Sequence, residues 1–465
     1  MVFTGIEMKT SVVILAAGEG TRMSSSLPKA MQFLAGKTML EHIKDTADAI
    51  SSVQTIIVCS PDAEKHISKA LGKPDQGLVY VQQAEPLGTG HALRCSLSKI
   101  NQDNIVLVLL GDVPLVRPKT LLKLINSAAT NTLTLLTANI DDPKGYGRII
   151  RNANNEITAI LEDEECTIKQ ETISEINSGI MAFPPNRITQ WLNRLSANNK
   201  KGEYYLTDTI EFAVDDGVLV DSIQPQAAEE IFGVNDKKQL AEAEKIKRKE
   251  AAEKLLQKGV TLADPMRIDV RGDLVCGKDV FIDVNVVFEG DVNIAEGASI
   301  GPHSVIANST IGKHTKILSH CSLEHANIGD NCLVGPFARL RPGTELMDSA
   351  KAGNFVEIKK SRIGQKSKVN HLSYVGDAVV GNEVNVGAGT ITCNYDGVNK
   401  NQTIIEDNVF IGSGVELVAP IAVKKGATIG AGSTITKQAP KDKLTLERAH
   451  QKTIPGWKRP KKNTT

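Results

Sequence analysis

The 465-residue sequence has few aromatic side chains, no C-x-x-C cysteine pair and no excess charge of either sign. Its 54 Lys and Arg residues balance its 54 Asp and Glu residues, so its charge gives no reason to expect nucleic acid or an anionic membrane as the main partner. The seven cysteines are odd in number and scattered along the chain, which argues against a disulfide framework and a zinc site. We therefore expect reduced thiols in a cytoplasmic protein.

Long hydrophobic runs are also missing. The apolar run at residues 12–17 is too short for a signal-peptide core, and charged Glu19 and Arg22 follow it closely. No stretch approaches the roughly 20 apolar residues that a membrane span needs. The composition, 41% hydrophobic and 23% charged, predicts a globular protein without membrane insertion, and the length predicts more than one domain.

The first half of the chain alternates two kinds of segment. Four short apolar segments are typical of buried strands: 11–17, 55–59, 105–110 and 132–138. Three amphipathic segments are typical of helices: 39–49, 90–97 and 119–129. This alternation predicts an α/β fold with a largely parallel sheet and helices on both faces. A Lys- and Glu-rich stretch without Gly or Pro follows and predicts a linker helix. We predict domains at 1–235 and 259–465, with the linker helix at 236–258.

A six-residue period dominates the second half. Aliphatic residues and one Phe recur at this spacing, with occasional slips of one residue and an interruption at 392–403: Ile282, Phe288, Ile294, Ile300, Ile306, Ile311, Ile317, Leu323, Ile328, Val334, Leu340, Leu346, Ala352, Ile358, Ile363, Val369, Val375, Val380, Val386, Ile405, Ile411, Leu417, Val423, Ile429 and Ile435. Each hexad predicts a short strand and a turn, and three hexads close one coil, so inward side chains stack about 18 residues apart. The pattern resembles the left-handed parallel β-helix; the alternative is a globular β-domain with a chance period.

A glycine-containing loop follows the first predicted strand. Gly18 and Gly20 let backbone amides turn toward a phosphate chain, and Arg22 and Lys29 add positive charge. The loop lacks both the Gly-Lys-Ser/Thr ending of a Walker motif and the third glycine of a Rossmann dinucleotide motif. It is therefore neither of these phosphate-binding loops.

The longer string around this loop, LAAGEGTRM followed by LPK, resembles the signature of sugar-1-phosphate nucleotidyltransferases. Five further segments match that family at plausible distances: 83–90, 110–114, 145–148, 176–179 and 233–235. Glu19 and Leu110 occupy positions where some relatives carry Lys and Tyr. The resemblance implies a Rossmann-like nucleotidyltransferase, or pyrophosphorylase, domain.

The same resemblance implies roles for individual residues. The implied contacts to UTP and the sugar phosphate are Leu15, Ala16, Ala17, Gly18, Lys29, Gln83, Gly88, Thr89, Gly111, Asp112, Gly147, Glu162, Asn177 and Asn235. Gln83, Gly88 and Thr89 would read the pyrimidine, and Gly147, Glu162 and Asn177 would hold the sugar. Arg22 and Lys29 would assist catalysis at the reacting phosphates. Asp112 and Asn235 would bind Mg²⁺, which prefers oxygen ligands.

The hexads also place two cations together. Arg341 follows Leu340 and Lys359 follows Ile358, so both occupy the second hexad position on one face, one coil apart. Cations stacked at about 5 Å repel unless an anion lies beside them, which predicts an anionic ligand such as a sugar phosphate.

Small residues form a second column. Ser413 and Ala431 are third-position residues one coil apart and are flanked by glycines. Two interpretations stay open: the column admits an extended thioester arm, or small residues simply favour these turns.

Histidines supply two further hypotheses. The imidazole of His371, near Tyr374, can accept a proton from an amine that attacks a thioester. His303 and His320 are fourth-position residues one coil apart, with His314 and His325 nearby. A zinc site is one hypothesis for them; against it, these are turn positions and the ligand spacing is not matched.

The whole chain resembles the bacterial enzymes that combine N-acetylglucosamine-1-phosphate uridyltransferase and glucosamine-1-phosphate acetyltransferase activities. The strings 335–343, 353–357 and 387–397 carry this resemblance in the second half. It implies that His371 is the proton acceptor, oriented by neighbours such as Glu357. It also implies two ligand sets: Arg341, Lys359, Tyr374 and Asn385 for the amino-sugar phosphate, and Ala388, Asn394, Tyr395, Ser413, Ala431 and Arg448 for acetyl-CoA.

The resemblance implies a homotrimer whose acetyltransferase sites lie between subunits. The expected reactions are N-acetylation of glucosamine-1-phosphate and then Mg²⁺-dependent uridylyl transfer from UTP, which supplies precursors of peptidoglycan and lipopolysaccharide. Two alternatives remain: a nucleotidyltransferase whose β-helix only regulates or oligomerises, and a non-catalytic trimeric scaffold.

Overall fold

A computed structural model describes residues 9–462 of the chain. The described residues form two compact units, and the boundary between them lies between Lys247 and Arg248. This boundary falls inside a helix, α7, at Lys237–Gln257, the segment that the sequence predicts as a linker helix. The outer ends of the two predicted domains, residues 1 and 465, lie outside the described residues.

The first unit alternates strands and helices as expected. Its strands are β1 Thr10–Ala16, β2 Phe33–Leu34, β3 Lys37–Thr38, β4 Gln54–Cys59, β5 Leu78–Gln82, β6 Ile105–Leu110, β7 Leu133–Asn139, β8 Arg148–Arg151, β9 Ile157–Leu161, β10 Glu175–Phe183 and β11 Val220–Ile223. Its other α-helices are α1 Met39–Ala49, α2 Pro61–Leu71, α3 Thr89–Cys95, α4 Pro118–Ala128, α5 Ile188–Arg194 and α6 Thr209–Asp215. Short 3-10 turns lie at Thr21–Met23, Lys29–Met31, Leu97–Lys99, Asp163–Glu165, Gln170–Thr172, Leu206–Asp208 and Ala228–Ile231.

The main sheet of this unit has the order β11-β7-β10-β6-β1-β4-β5. Strand β1 pairs in parallel with β4 and β6, and β5 and β11 are also parallel to their neighbours. Strand β10 runs antiparallel between β6 and β7, and the β8–β9 hairpin is attached to it. The expectation of a largely parallel sheet is confirmed, with β10 and the attached β8–β9 hairpin as the exceptions.

Both faces of this sheet are covered. Along β1, Val12 and Ile14 enter one core, whereas Val13 and Leu15 enter the other. Helices α1, α2 and α4 cover the first core, and α3, α5 and α6 cover the second. Because parallel strands buried on both faces end at a common edge, the loops after β1 and β6 meet at the carboxyl edge of the sheet.

The second unit consists mainly of very short strands. They are β12 Thr261–Leu262, β13 Ile268–Cys276, β14 Phe281–Ile282, β15 Val286–Ile294, β16 Ser299–Ile300, β17 Val305–Ala307, β18 Thr310–Ile311, β19 Lys316–Ile317, β20 Ser322–Glu324, β21 Ala326–Ile328, β22 Leu333–Val334, β23 Arg339–Leu340, β24 Thr344–Leu346, β25 Lys351–Asn354, β26 Glu357–Lys359, β27 Arg362–Ile363, β28 Lys368–His371, β29 Tyr374–Gly376, β30 Ala378–Val380, β31 Asn385–Val386, β32 Ile391–Cys393, β33 Thr403–Ile405, β34 Phe410–Ile411, β35 Glu416–Val418, β36 Ile421–Val423, β37 Thr428–Ile429, β38 Thr434–Ile435 and β39 Leu444–Thr445. A 3-10 turn at Pro265–Arg267 precedes β13.

These strands form three parallel ladders, which are the three faces of a β-helix. The first face runs β12-β14-β16-β19-β22-β25-β28-β31-β34-β37-β39. The second face includes β20, β23, β26, β29, β32, β35 and β38, and the third includes β21, β24, β27, β30, β33 and β36. Leu340 pairs with Ile358 one coil on, and Ile300 pairs with Ile317 where the period slips by one.

Every inward position that the period predicts, from Ile282 to Ile435, is buried in one continuous core. The hexapeptide β-helix is therefore confirmed. Within the predicted interruption at 392–403, residues 394–402 form a loop between β32 and β33, in which Tyr395 and Lys400 form an antiparallel bridge. The ends of the interruption, Thr392 and Thr403, are buried in the two flanking strands.

Two general properties of the described residues concern the cysteines and the helices. All seven cysteines are free, and burial raises the pKa of several of their thiols, that of Cys59 to about 12. Within residues 9–462, none of the helices combines the length and the apolar character that crossing a bilayer requires.

The stacked core gives a first testable prediction. Ile358 is fully buried, so we expect Ile358→Ala to lower the free energy of unfolding of the second unit by about 2–5 kcal/mol through lost burial and a residual cavity. Urea unfolding followed by circular dichroism measures this loss. Ile404→Ala is the matched control, because Ile404 is 40% exposed and its truncation should cost much less. Equal losses in the two variants would contradict the stacked-core description.

Candidate active sites

The glycine loop lies at the carboxyl end of β1. Gly20 has φ +64°, and a Cβ atom built on it would lie 2.5 Å from Lys29 Cβ. A side chain at this position would therefore meet both backbone strain and a steric clash. The loop can pack directly against Lys29 only because residue 20 is glycine.

A first cavity of about 320 Å³ opens beside this loop. Ten of the residues predicted to contact UTP line it: Leu15, Ala16, Ala17, Gly18, Lys29, Gln83, Gly88, Thr89, Gly111 and Asp112. Most come from the carboxyl ends of β1 and β6 and from the segment that leads into α3, which begins at Thr89. Lys29 comes from the 3-10 turn at Lys29–Met31. The carboxyl edge of the sheet thus gathers residues that are almost 100 positions apart in sequence.

A second cavity of about 340 Å³ adjoins the first. The remaining predicted residues of this unit line it: Arg22, Gly147, Glu162, Asn177 and Asn235. Thr89, Leu110 and Asp112 line both cavities. Ligands in the two cavities would therefore meet beside Asp112.

A cluster of charged and amide groups surrounds Asp112. Lys29 Nζ forms an ion pair with the Asp112 carboxylate and also donates to Asn235 Oδ1 at 2.8 Å. Arg22 Nη2 donates to the same Asn235 oxygen at 3.1 Å. The Lys29 and Asp112 side chains are 14% and 27% exposed, so the pair is only partly screened by solvent. Two cations and two oxygen ligands converge at one point where phosphates could bind.

Glu162 lies in the wall of the second cavity. Its Oε1 accepts a hydrogen bond of 2.9 Å from Thr207 Oγ1, and burial raises the pKa of its carboxyl above the ordinary value. Nearby, the almost fully buried Arg148 pairs with Asp163 at 2.8 Å and donates to the Tyr146 carbonyl. Through these two contacts Arg148 stabilises the turn that contains Gly147. The sequence does not predict this role for Arg148, although the residue belongs to the 145–148 string.

In the second unit, several residues predicted to take part in acetyl transfer lie at one corner of the β-helix. A backbone N–H of the next coil donates to the carbonyl oxygen of each of four residues: Asn354, His371, Ala388 and Ser413. These four residues therefore stack in one column, and Ala431 continues it. A Cβ atom on Gly412 would lie 2.5 Å from Ala431 N, and one on Gly387 would lie 2.7 Å from Ser413 N. In this column the backbones of successive coils are in direct contact, and the small residues occupy the coils that follow His371.

His371 has a different partner from the one expected. Its Nδ1 lies 2.5 Å from Asn354 Oδ1, whereas Glu357 forms an ion pair of 2.8 Å with Arg341. An amide oxygen accepts only, so an Nδ1 proton donated to Asn354 Oδ1 would leave the lone pair on Nε2. The expectation that Glu357 orients His371 is thus not met in this chain, because Glu357 begins a strand on the next face.

The predicted sugar-phosphate residues lie mainly on that second face. Arg341 and Lys359 occupy the same column, as the pairing of Leu340 with Ile358 requires. The positive charge of Lys400, then desolvation and then the positive charge of Arg341 lower the pKa of Lys359, whereas Asp377 acts in the opposite direction. The Glu357 carboxylate, paired with Arg341, neutralises only part of the positive charge of Arg341, Lys359 and Lys400.

Contacts across this face connect the two predicted ligand sets. Tyr374 OH lies 3.4 Å from Asn394 Nδ2, and Asn394 also donates to Asp377 at 2.6 Å. The Tyr395 side chain is exposed, with Lys400 Nζ 5.2 Å from its ring centroid.

Two predicted residues lie apart from this cluster. Asn385 belongs to β31 on the first face, where it lines a separate open cavity with Lys366 and Lys368. Arg448 follows β39, and its Cδ would lie 3.8 Å from a Cβ atom built on Gly432, at the end of the glycine column. Within one chain, therefore, Asn385 and the second-face residues do not form a single site.

The stacked histidines belong to an exposed ladder. His303 and His320 stack at 4.9 Å between ring centroids, and Phe337 and Phe355 continue the stack. Among residues 9–462 there is no group of three or more His, Cys, Asp or Glu side chains that could hold a metal ion. The zinc alternative thus gains no support from the described residues.

A glycine loop and a cation–carboxylate cluster at the edge of an α/β sheet, joined to a hexapeptide β-helix, define a nucleotidyltransferase fused to a hexapeptide-repeat transferase. Comparisons with known proteins agree. Residues 12–167 match the profile of the MobA-like NTP transferase domain, and residues 402–437 match the hexapeptide repeat of succinyl-transferase.

Curated relatives match almost the whole chain. The "Bifunctional protein GlmU" of Ralstonia pickettii is 50% identical over 97% of this chain and 99% of its own length. The proteins of the same name from Nitrosospira multiformis and Chromobacterium violaceum are each 50% identical over 98% of this chain, and 98% and 99% of their lengths are covered. The chain belongs to the bifunctional GlmU family.

Proposed function

We propose that the protein makes UDP-N-acetylglucosamine in two steps at two sites. The second unit transfers an acetyl group from acetyl-CoA to the amine of glucosamine-1-phosphate. The first unit then transfers the uridylyl group of UTP to the resulting N-acetylglucosamine-1-phosphate and releases pyrophosphate. The observation that carries this proposal is the position of Asp112, Lys29 and Asn235 where the two cavities of the first unit meet.

Uridylyl transfer follows from this arrangement. UTP occupies the first cavity and the sugar phosphate the second, so that a sugar-phosphate oxygen faces the α-phosphorus near Asp112. That oxygen attacks the phosphorus, and pyrophosphate leaves. Lys29 and Arg22 neutralise the charge on the phosphates, and no protein nucleophile is needed because positioning and charge neutralisation are the main catalytic terms.

The first site also suits a divalent cation. The Asp112 carboxylate and Asn235 Oδ1 both contact the Lys29 ammonium, so two oxygen ligands already converge on one cationic group. Hard oxygen ligands beside phosphates fit Mg²⁺, and we propose that Asp112 and Asn235 hold this ion. When bound, Mg²⁺ would supply further neutralisation of phosphate charge.

Acetyl transfer follows from the corner of the β-helix. The Nε2 lone pair of His371 accepts a proton from the substrate amine as that amine attacks the thioester carbonyl. The C–N bond forms, the C–S bond breaks, and the thiolate of CoA leaves and takes up a proton. The column of Ala388, Ser413 and Ala431 leaves room for the extended arm of acetyl-CoA, with Asn394, Tyr395 and Arg448 as further contacts. Arg341, Lys359 and Tyr374 bind the sugar phosphate.

A homotrimer would complete the second site. Asn385 lies on a different face from Arg341, Lys359 and Tyr374 within one chain. We propose that three β-helices associate so that one chain's first face meets another's second face, and that the enzyme works in the cytoplasm on small-molecule substrates.

Separate assays of the two reactions test the proposed function. Release of CoA is followed with acetyl-CoA and glucosamine-1-phosphate, and release of pyrophosphate is followed with UTP, N-acetylglucosamine-1-phosphate and Mg²⁺. We expect both. Pyrophosphate release without any CoA release would instead support a nucleotidyltransferase with a non-catalytic β-helix.

Glu162 gives a prediction that couples function to stability. Burial raises the pKa of this carboxyl, so its ionised form destabilises the native state. This cost is absent below the ordinary pKa of about 4.3 and grows as the pH rises above it. We therefore expect Glu162→Gln to unfold at a higher temperature than the wild type at pH 7.5, with the difference vanishing in acid, while KM for N-acetylglucosamine-1-phosphate rises.

Thermal unfolding at several pH values and steady-state kinetics measure the two effects. Glu171→Gln is the control, since Glu171 is exposed and should change neither quantity. A less stable Glu162→Gln protein at pH 7.5 would show that the ionised carboxylate is a structural group and would contradict the proposed cost.

A further inference from the structure

His91 contacts Gln83, the residue proposed to read the base, but does not itself line the first cavity. Gln83 is 6% exposed and lines this cavity. Its Nε2 donates to the Gly88 carbonyl oxygen at 3.2 Å and lies 3.0 Å from Nδ1 of His91, on α3. Two neighbours therefore contact the same end of the Gln83 amide.

These contacts fix which end of the amide is the nitrogen. A backbone carbonyl can only accept a hydrogen bond, so the atom that faces Gly88 must be the NH₂ group of Gln83. The second hydrogen of that group then points at His91 Nδ1, which must carry a lone pair. The ring proton consequently lies on Nε2, which is 3.8 Å from Cys95 Sγ.

The surroundings of His91 favour this neutral form. Burial lowers the pKa of His91, the charge of Arg94 lowers it further, and Glu85 acts in the opposite direction. The Tyr204 ring lies beside the imidazole of His91, tilted by 33° and with 6.2 Å between the ring centroids, and Arg94 lies over the same tyrosine ring. A protonated imidazole would turn a donor toward the Gln83 amide nitrogen, which cannot accept.

The consequence concerns the other end of the amide. Both N–H groups of Gln83 are engaged, whereas no hydrogen bond from any described residue ends on its Oε1. This oxygen is thus free to accept a hydrogen bond from a ligand. Uracil offers the imide N3–H, whereas N3 of cytosine carries a lone pair that would face the oxygen of Gln83.

We propose that His91 is a positioning residue that holds the carbonyl oxygen of Gln83 toward the base and so selects uracil over cytosine. This inference rests on the proposed function in taking the first cavity as the nucleotide site. It adds a residue that acts through Gln83 and does not itself touch the base.

Calorimetric titration with UTP and with CTP tests the proposal, because binding is measured without relying on transfer. His91→Leu removes one of the two acceptors that hold the NH₂ group of Gln83, so only the Gly88 carbonyl still opposes rotation of the amide. We expect the ratio of the two dissociation constants to shift toward CTP by about tenfold, the size of one lost neutral hydrogen bond. His91→Asn places an amide oxygen near the former Nδ1 position and should restore most of the preference.

The control is His66→Leu, which alters an exposed histidine on α2 and should leave the ratio unchanged. An unchanged ratio in His91→Leu, or equal weakening of UTP and CTP binding, would overturn the proposal, as would a wild type without preference for UTP. Failure of the proposed function gives a different result: UTP binds with the expected preference, but no pyrophosphate is released.

Discussion

His371→Ala should lose acetyl transfer almost completely and keep uridylyl transfer. The imidazole is the group placed to take the proton of the attacking amine, and loss of a general base typically costs about 10²–10⁴-fold in rate. The side chain lies on the surface of the β-helix corner, so its removal should leave the stacked core intact. CoA release under saturating substrates measures the loss, and pyrophosphate release from the same preparation measures the retained activity.

The matched control is His314→Ala, since His314 is another exposed histidine of the β-helix, outside the His371 column. This variant should keep both activities. If His371→Ala loses both activities while it remains folded, the two reactions do not use separate sites. If it keeps full acetyl transfer, His371 is not the proton acceptor.

Asp112→Asn should give the opposite pattern. The substitution keeps the shape of the side chain but removes the charge that pairs with Lys29 and that would bind Mg²⁺. Loss of one preorganised electrostatic group typically costs about 10²–10³-fold in rate. We expect uridylyl transfer to fall by about this factor and to need more Mg²⁺, while acetyl transfer stays unchanged.

Asp103→Asn provides the control at the other end of the same strand. Asp103 precedes β6 and is exposed, whereas Asp112 follows β6 at the carboxyl edge of the sheet. Its neutralisation should not alter uridylyl transfer or the Mg²⁺ dependence. Normal uridylyl transfer by Asp112→Asn would refute the proposed role of the cluster around Asp112.

Much of the fold could be predicted because its physical cause repeats along the chain. Each coil of the β-helix needs an inward apolar residue on every face, so the period appears in sequence from Ile282 to Ile435. Strand β10 shows the opposite case. A run of buried residues looks the same in either direction, so the sequence does not show that β10 pairs antiparallel with β6, β7 and β8.

Side-chain partners were harder to predict than positions. Asn354 and Glu357 lie three residues apart, but the corner of the β-helix directs the first toward His371 and the second toward Arg341. Hexad counting gives the face of a residue and not the direction of its side chain at a corner. The contact of His91 with Gln83 depends on how α3 begins after Gly88; the available signal was a polar residue directly after the 83–90 string.

The central claim is that one chain carries both reactions and that the product of the second unit is the substrate of the first. Acetyl-CoA labelled in its acetyl group, glucosamine-1-phosphate, UTP and Mg²⁺ are incubated with the purified wild-type protein, and the labelled products are separated. We predict that the label appears in a UDP-linked sugar, with one CoA and one pyrophosphate released for each molecule formed. Absence of label from every sugar product, in a preparation that releases pyrophosphate from UTP and N-acetylglucosamine-1-phosphate, would contradict the claim.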